Sequence, residues 1–401
     1  GIGKKAFWRG LEDGKSGVSK IKSFDTSDCK VTIAAEISDF DADAEIALKD
    51  RRHLPRTVPL ALASAREALA DSGLDTDALS LEERRNFGVI LGTGGGGLSF
   101  TEKQYRYWFL RKGKKASVYT IPSSTHGGLS SELSMAFGLH GMSHIISTGC
   151  TSSTDAIYYA TQNVALGRAD RMLAGGVDAP IAPGILEGFI LMTVLTSDWN
   201  DTPSRASRPF SADRSGMVLG EGAWIYVLEP YEDAKKRNAR IFGVIKGYGS
   251  TCDAYHRVRL KENGVEPARA IRLAMDDAGV LPEEIDYVNL HGTSTRINDR
   301  IETRAIKRAF GEHAYRLAGS ATKSQIGHPQ GASGAAGIAS ALFTLHEGKI
   351  APTINLDSPD GECDLDYTPN GMRVKSVDMA LCNCIGFGSK NSALIIGNPD
   401  V

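Results

Sequence analysis

Cys150 stands where the apolar run His144-Ile145-Ile146 passes through Ser147-Thr148-Gly149 into a segment with apolar residues at 156, 157, 160 and 164, the spacing of one helix face. A thiol in such a strand-to-helix turn points its sulfur at the first helical N–H groups. Their partial positive charge favours thiolate over thiol, and the same groups can hold an oxyanion. A cysteine that merely packs is the ordinary alternative; the sharp, polar turn around Cys150 turns the reading toward a nucleophile. Two histidines have comparable settings. His291 ends the run Val288-Asn289-Leu290 and opens Gly-Thr-Ser-Thr, while His328 follows Lys323-Ser324-Gln325-Ile326-Gly327 and precedes Pro-Gln-Gly-Ala-Ser-Gly. Small neighbours let a backbone or substrate come close. Either imidazole alone reads as structural; both, on loops able to converge on Cys150, suggest one site with a thiol and two imidazoles.

Other candidates are weaker. Gly92, Gly94 and Gly97 satisfy G-x-G-x-x-G after a β-run, but four consecutive glycines match many patterns, and neither a clean periodic helix nor a GK[ST] follows. A tight, close-packed turn is the better reading. Cys382 and Cys384 form one C-x-C with no second Cys/His pair at zinc-like spacing, so no metal site is expected. The remaining cysteines, in a chain this long, make no disulfide framework and read as free thiols.

The elements that must position these residues occur twice. Leu62 to Leu74 (LASAREALADSGL) and Ala270 to Val280 (AIRLAMDDAGV) are amphipathic helices ended by Gly73 and Gly279, as left-handed caps require. Each leads through an acidic connector to a β-run, FGVILGT (87–93) or DYVNLHGT (286–293), which puts Leu91 and His291 in corresponding places. The stretch His144 to Asp170 then gives strand, turn and helix, and the stretch from Leu317 gives the same order. Three matching segments in the same order imply a duplicated α/β unit.

With 401 residues, 41% hydrophobic and 23% charged, the composition is that of a soluble globular protein and excludes disordered and fibrous classes. Lys+Arg 46 against Asp+Glu 48 provides no global attraction for nucleic acid or anionic lipid. No run is long and apolar enough for a membrane span, and no signal-peptide core follows the first residues, so a cytoplasmic chain is expected.

Taken together, STGCTSS around Cys150, HGTSTRIND from His291, KSQIGHPQGASGAAG around Lys323 and His328, CIGFGSKNS around Phe387 and RPFSADRSGMVLGEGA (208–223) resemble the β-ketoacyl synthases of the thiolase-like superfamily over essentially the whole chain. The resemblance implies a duplicated thiolase-like α/β fold in five layers, αβαβα, with halves at 1–235 and 236–401, usually dimeric. The family's first strand, of the type VVVTGxG, is missing from this chain. STGCTSSTDA, the segment 178–183, NDTPSRASRPF, the run 296–303 and GECDLDYTP look like the ketosynthase-α subunits of type II polyketide synthases; the Thr-Ser-Thr after Gly292 looks like the fatty-acid elongating synthases. Cys150 itself is unlike the chain-length-factor subunit.

By that resemblance Cys150 takes an acyl chain from a carrier protein, with the N–H groups of Cys150 and Phe387 as oxyanion hole. His291 and His328 stabilise the enolate from malonyl decarboxylation, Lys323 and Glu302 hold the histidine site, and Thr293 and Thr295 contact malonyl or pantetheine. Gly386 and Gly388 flank Phe387 as a gate. No cofactor is implied beyond the phosphopantetheine that the carrier brings. The implied partners are the acyl carrier protein and a chain-length-factor subunit, otherwise a second copy; neither nucleic acid nor membrane is implied. Carrier proteins are acidic, so the basic clusters Lys49, Arg51, Arg52 and Arg56 and Arg111, Lys112, Lys114 and Lys115 are the candidate docks. A homodimeric elongating synthase and a non-catalytic member of the fold are the rival readings.

Overall fold

The computed structural model describes residues 1–110 and 115–400. The helices that matter for the site are α1 (Lys4–Glu12), α2 (Thr57–Ser72), α3 (Leu98–Leu110), α4 (Ser152–Ala165), α5 (Val265–Ala278), α6 (Arg296–Phe310) and α7 (Ser333–Glu347). The strands of the two main sheets are β1 (Phe87–Gly92), β2 (Ser143–Ile146), β3 (Arg171–Asp178), β4 (Gly222–Leu228), β5 (Val244–Cys252), β6 (Tyr287–Asn289), β7 (Ala318–Ser320), β8 (Met379–Gly386) and β9 (Lys390–Gly397).

The duplication read from the sequence is present strand for strand. The first sheet has the order β2-β1-β3-β4 and the second β7-β6-β8-β9-β5. In both, the first three strands run parallel and the fourth antiparallel to its neighbour. Parallel strands buried on both faces read as continuous apolar runs, and β1 is buried at every position. Helices α2 and α5 end on Gly73 and Gly279 with φ of 71° and 67°, the left-handed cap that glycine adopts without Cβ strain.

Five layers follow from where the apolar faces point. α2 covers the outer face of the first sheet, sharing a core of Leu62, Ala65, Leu69, Val89 and Leu173. α5 and α6 cover the outer face of the second. α4 and α7 lie between the sheets, where Ala156, Ile157, Ala160, Ala335, Ile338 and Ala341 meet residues of both. Glycines in the first sheet let α4 meet it at close range: a Cβ on Gly92 of β1 would fall 2.3 Å from the backbone of Ser152, and one on Gly176 of β3 2.4 Å from Ser153 Cβ.

The halves differ at one edge. β5 covers the outer side of β9, whereas among the described residues nothing pairs with the outer side of β4. An apolar cavity of about 770 Å³ runs along it, lined by Phe7, Trp224, Tyr226, Phe242, Ile245 and Leu342. No helix among the described residues is long and apolar enough to cross a membrane.

Because the atoms facing Gly92 are backbone, they cannot swing aside. Gly92→Ala is expected to lower unfolding free energy by about 3 kcal/mol, the upper part of the usual overpacking range. Gly188→Ala, in a helix with nothing within 4 Å of the new methyl, should be neutral or raise it by about 0.5 kcal/mol. Urea denaturation of the two variants checks this.

Candidate active site

The turn Gly149–Thr151 carries Cys150 from β2 into α4, and Cys150 is only 4% exposed. Gly149, at φ 74°, faces the carbonyl of Phe387, so the end of β8 lies against the nucleophile turn. The Phe387 N–H reaches the Cys150 side chain. From the second half come His291, just past β6, and His328, ahead of α7, each 2% exposed. One ligand atom each of Cys150, His291 and His328 lie within 4.8 Å of one another, and the two rings stand at 88° with centroids 5.4 Å apart. The three residues singled out for their settings thus converge.

Burial decides the protonation states. The sequence predicts a thiolate at Cys150, and the structure corrects this: desolvation, helped by neighbouring Cys384, pushes the thiol up to about 12, outweighing the Phe387 N–H and Lys323, which pull the other way. A helix N-terminus favours the anion only where enough of its field reaches the sulfur to offset lost hydration. Burial first, then Lys323, holds both imidazoles well below their ordinary range, with His328 adding to the shift of His291. Both are neutral at pH 7 and each carries one N–H. Burial also draws the Lys323 ammonium down, against the pull of Cys384, Glu302 and Cys150.

Each side chain is held by a named contact. Glu302, on α6 and fully buried, accepts the N–H groups of His291 at 2.6 Å and Gly292 at 2.8 Å, and Asn383 Nδ2 at 2.7 Å; burial raises its carboxyl to about 7. It therefore fixes the loop that bears His291. It makes no direct ion pair with Lys323 among the described residues. His328 Nδ1 meets Ser333 Oγ at 2.8 Å. Thr293 and Thr295 share a hydrogen bond of 3.0 Å, and Thr295 also caps α6 by accepting the N–H of Asn298. Phe387 is half-buried between Gly386, against Cys150, and the exposed Gly388. The motif 208–223 supports α6: buried Arg214 pairs with Asp299 at 3.3 Å and Asp360 at 2.8 Å.

The arrangement can bind an acyl group on sulfur, hold an oxyanion at the Phe387 N–H and place two neutral N–H donors on a second carbonyl. Comparisons with known proteins agree. Residues 1–234 match the β-ketoacyl synthase N-terminal domain and residues 242–357 the C-terminal domain. The 3-oxoacyl-[acyl-carrier-protein] synthase 2 of Synechocystis is 40% identical over 97% of this chain and 92% of its own. The granaticin polyketide putative β-ketoacyl synthase 1 of Streptomyces violaceoruber is 40% identical over 100% of this chain and 96% of its own. The chain belongs to the β-ketoacyl synthase family. It is a condensing acyltransferase of the thiolase-like fold. Among solved structures, the ishigamide ketosynthase/chain length factor superposes with a TM-score of 0.89 at 33% identity, covering 99% of this chain and 96% of that one. A type II polyketide ketosynthase in complex with its acyl carrier protein gives 0.88 at 30%, covering 99% and 95%.

Several residues of the synthase site escape sequence reasoning. Asp178, at the end of β3, accepts the N–H groups of Gly94, Gly95 and Gly331 and the hydroxyl of Thr93 at 2.7 to 2.9 Å. The glycine run is thus a carboxylate cradle, close-packed as the sequence suggests, that ties the first half to the segment after His328. Asp155, on α4, accepts Thr148 Oγ1 at 2.5 Å and Thr151 Oγ1 at 3.0 Å, on either side of Cys150, and Tyr248 Oη from β5 at 2.7 Å. A carboxylate at a strand end and one in a first helical turn were the available signals.

The basic residues fare unevenly. Arg111, Lys112 and Lys114 lie outside the described residues, while Lys115 is exposed. Arg51 is paired with Asp43 and Arg56 with Glu221, so those two are partly neutralised; Lys49 and Arg52 remain exposed. His53 meets Ser117 at 2.5 Å, which brings the segment that follows Lys115 to the first cluster.

Two outcomes are expected. Iodoacetamide alkylation of Cys150 should rise about tenfold per pH unit from pH 7 to 10 without a plateau, because thiolate accumulates only toward a pKa of about 12; a plateau near pH 7 would reveal a resting thiolate. Asp155→Ala, which strips three donors of their acceptor, should cost about 2 kcal/mol of stability. It should also slow that alkylation relative to Cys252 in the same sample, read by mass spectrometry of the peptides.

Proposed function

We propose that the protein catalyses decarboxylative Claisen condensation of a malonyl group with an acyl chain, both delivered by acyl carrier protein. The convergence of Cys150, His291 and His328 carries this reading. Cys150 sulfur attacks the acyl thioester, its proton passes to the departing pantetheine thiol, and an acyl-Cys150 thioester remains. The tetrahedral oxyanion is held by the N–H groups of Cys150 and Phe387. Malonyl then loses carbon dioxide, its C–C electrons moving into an enolate whose oxygen accepts from the neutral imidazoles of His291 and His328. An imidazolium would be a stronger donor but would have to carry its charge in a site that excludes water. The carbanion attacks acyl-Cys150, the C–S bond breaks as the tetrahedral intermediate collapses to the β-ketoacyl product, and the Cys150 thiolate that leaves takes a proton from solvent.

Lys323 is a positioning charge in this scheme, not the base. Glu302 positions His291 through the backbone, and Thr293 and Thr295 face the malonyl or pantetheine portion. Phe387, with Gly386 and Gly388 on either side, gates entry. The face containing Lys49, Arg52 and Lys115 is the carrier dock, its cations suited to an acidic partner. Six unpaired cysteines suit a reducing, cytoplasmic compartment.

Within the family we assign the chain to the ketosynthase-α subunits of type II polyketide synthases, on STGCTSSTDA, the run 296–303 and GECDLDYTP. A partner subunit has a surface to cover: Trp108 and Phe109 at the end of α3, with Val118, Ile121 and Met135, are exposed, and β2 is an edge strand. Edges and apolar patches of this kind mark interfaces. The Thr-Ser-Thr after Gly292 supports the second reading, a homodimeric elongating synthase. Activity of the purified chain alone favours the second; activity only with a related subunit favours the first.

Acyl transfer is tested by intact-protein mass spectrometry with acyl-loaded carrier protein. The native chain should gain one acyl mass and Cys150→Ala none. His328→Ala should still acylate while losing about 10²- to 10³-fold in malonyl decarboxylation, the effect of removing one oxyanion donor. Equal acylation of Cys150→Ala would overturn the assignment.

A further inference from the structure

The same three side chains have the make-up of a second kind of site. Their ligand atoms are buried and lie within 4.8 Å of one another. Thiolate sulfur and imidazole nitrogen are the donors zinc takes, at about 2.3 and 2.0 to 2.1 Å, and three such ligands with a fourth position open are typical of its reactive sites. Rings crossed at 88° let the two nitrogens approach one point from different directions, as tetrahedral ligation requires.

Neither ring is committed to one tautomer. Ser333 Oγ lies 2.8 Å from His328 Nδ1, and a hydroxyl can serve as donor or acceptor. When it donates, the far nitrogen keeps its proton and can act as a hydrogen-bond donor to substrate. When it accepts, the far nitrogen presents a lone pair. His291 Nδ1 is buried without a hydrogen-bond partner, so the proton of that ring can move between nitrogens without breaking a protein contact. Lys323 is the nearby charge that opposes a cation; Glu302 and Asp299 are the anions set against it.

We infer that Cys150, His291 and His328 together bind a thiophilic divalent cation of the zinc class, and that this ion inhibits the enzyme by occupying the groups that acyl transfer needs. Binding replaces the Cys150 S–H bond with a sulfur–metal bond and releases the proton to solvent; no oxidation state changes. The donor atoms must draw in by about 1 Å to reach tetrahedral spacing. The ion is an inhibitory ligand, not a cofactor of condensation, and its binding is independent of which thioester the enzyme uses.

Cobalt(II) is the direct probe, added to the reduced, metal-free chain under anaerobic conditions. One equivalent should give the sulfur-to-metal charge-transfer band and the visible bands of tetrahedral cobalt. Zinc should displace it, and zinc should block alkylation of Cys150 until EDTA restores it. Ser333→Ala removes the partner that orients His328 and should weaken metal binding about tenfold or more, while His328→Asn should lose the tetrahedral spectrum. Melting curves of the metal-free variants separate lost ligation from lost fold, and if His328→Asn does not fold, Ser333→Ala decides. A native chain without the charge-transfer band overturns the proposal. So does a spectrum that survives Cys150→Ser, which would place the ion elsewhere, or zinc inhibition undiminished in both histidine-directed variants, which would leave the thiol acting alone.

Discussion

A thiol and two imidazoles are kept out of water at the seam between two half-molecules, and their removal from solvent governs the chemistry around them. Charged forms lose more hydration than neutral ones, so Cys150 stays protonated and His291 and His328 stay neutral. Lys323 works on them as a fixed positive charge: it eases the thiol down, yet makes an imidazolium harder to form. Its field therefore favours the moment when sulfur or oxygen turns negative. That is the charge distribution of an acyl-transfer transition state, in which the enzyme gains by being matched to the developing charge and not to the resting groups.

A buried site of this kind requires that the two sheets keep their register, and the contacts that do so cross between the halves. Asp178 of β3 holds Gly331 beyond His328. Ser153 Oγ accepts the N–H of Ala335 at 2.9 Å, joining α4 to α7. Asp155 binds Tyr248 of β5, whose ring stacks on Tyr158 at 4.0 Å. The carboxylates at 155 and 178 face several donors each, the arrangement in which a buried acceptor repays its desolvation. Small residues are the other half of the device, because Gly92, Gly176 and Gly334 leave α4, α7 and the first sheet no slack to shift.

Much of this was legible in the sequence. The helix stops at Gly73 and Gly279, the apolar β-runs and the polar turn around Cys150 are local signals, and the repeat gives Leu91 and His291 corresponding places in the two halves. Protonation of Cys150 was not legible: the turn predicts thiolate, and only the depth of the turn between the sheets reverses it. Asp155, Asp178, Ser333 and Asn383 were equally hidden, since their work is done on residues 81 to 153 positions away or by a geometry that spacing does not encode. The basic clusters show the same limit. Arg51 and Arg56 look alike in a charge run, but only the fold reveals that Asp43 and Glu221 occupy them.

The backbone around the site shows where the remaining cost lies. Ser294, three residues past His291, Gln330, two past His328, and Ser389, two past Phe387, all have positive φ, at 68°, 45° and 65°. For a side chain bearing Cβ this costs about 1 to 2 kcal/mol each, and none of the three is glycine, which would adopt it freely. Each is held by its own side chain: Ser294 Oγ accepts the N–H of Arg208, Gln330 Nε2 donates to the His328 carbonyl, and Ser389 Oγ bridges the N–H and carbonyl of His256. A glycine would relieve the strain but lose those ties and let the loops move. Keeping three strained residues where the three functional loops turn is thus consistent with a fold that gives up stability for fixed positions of His291, His328 and the Phe387 N–H.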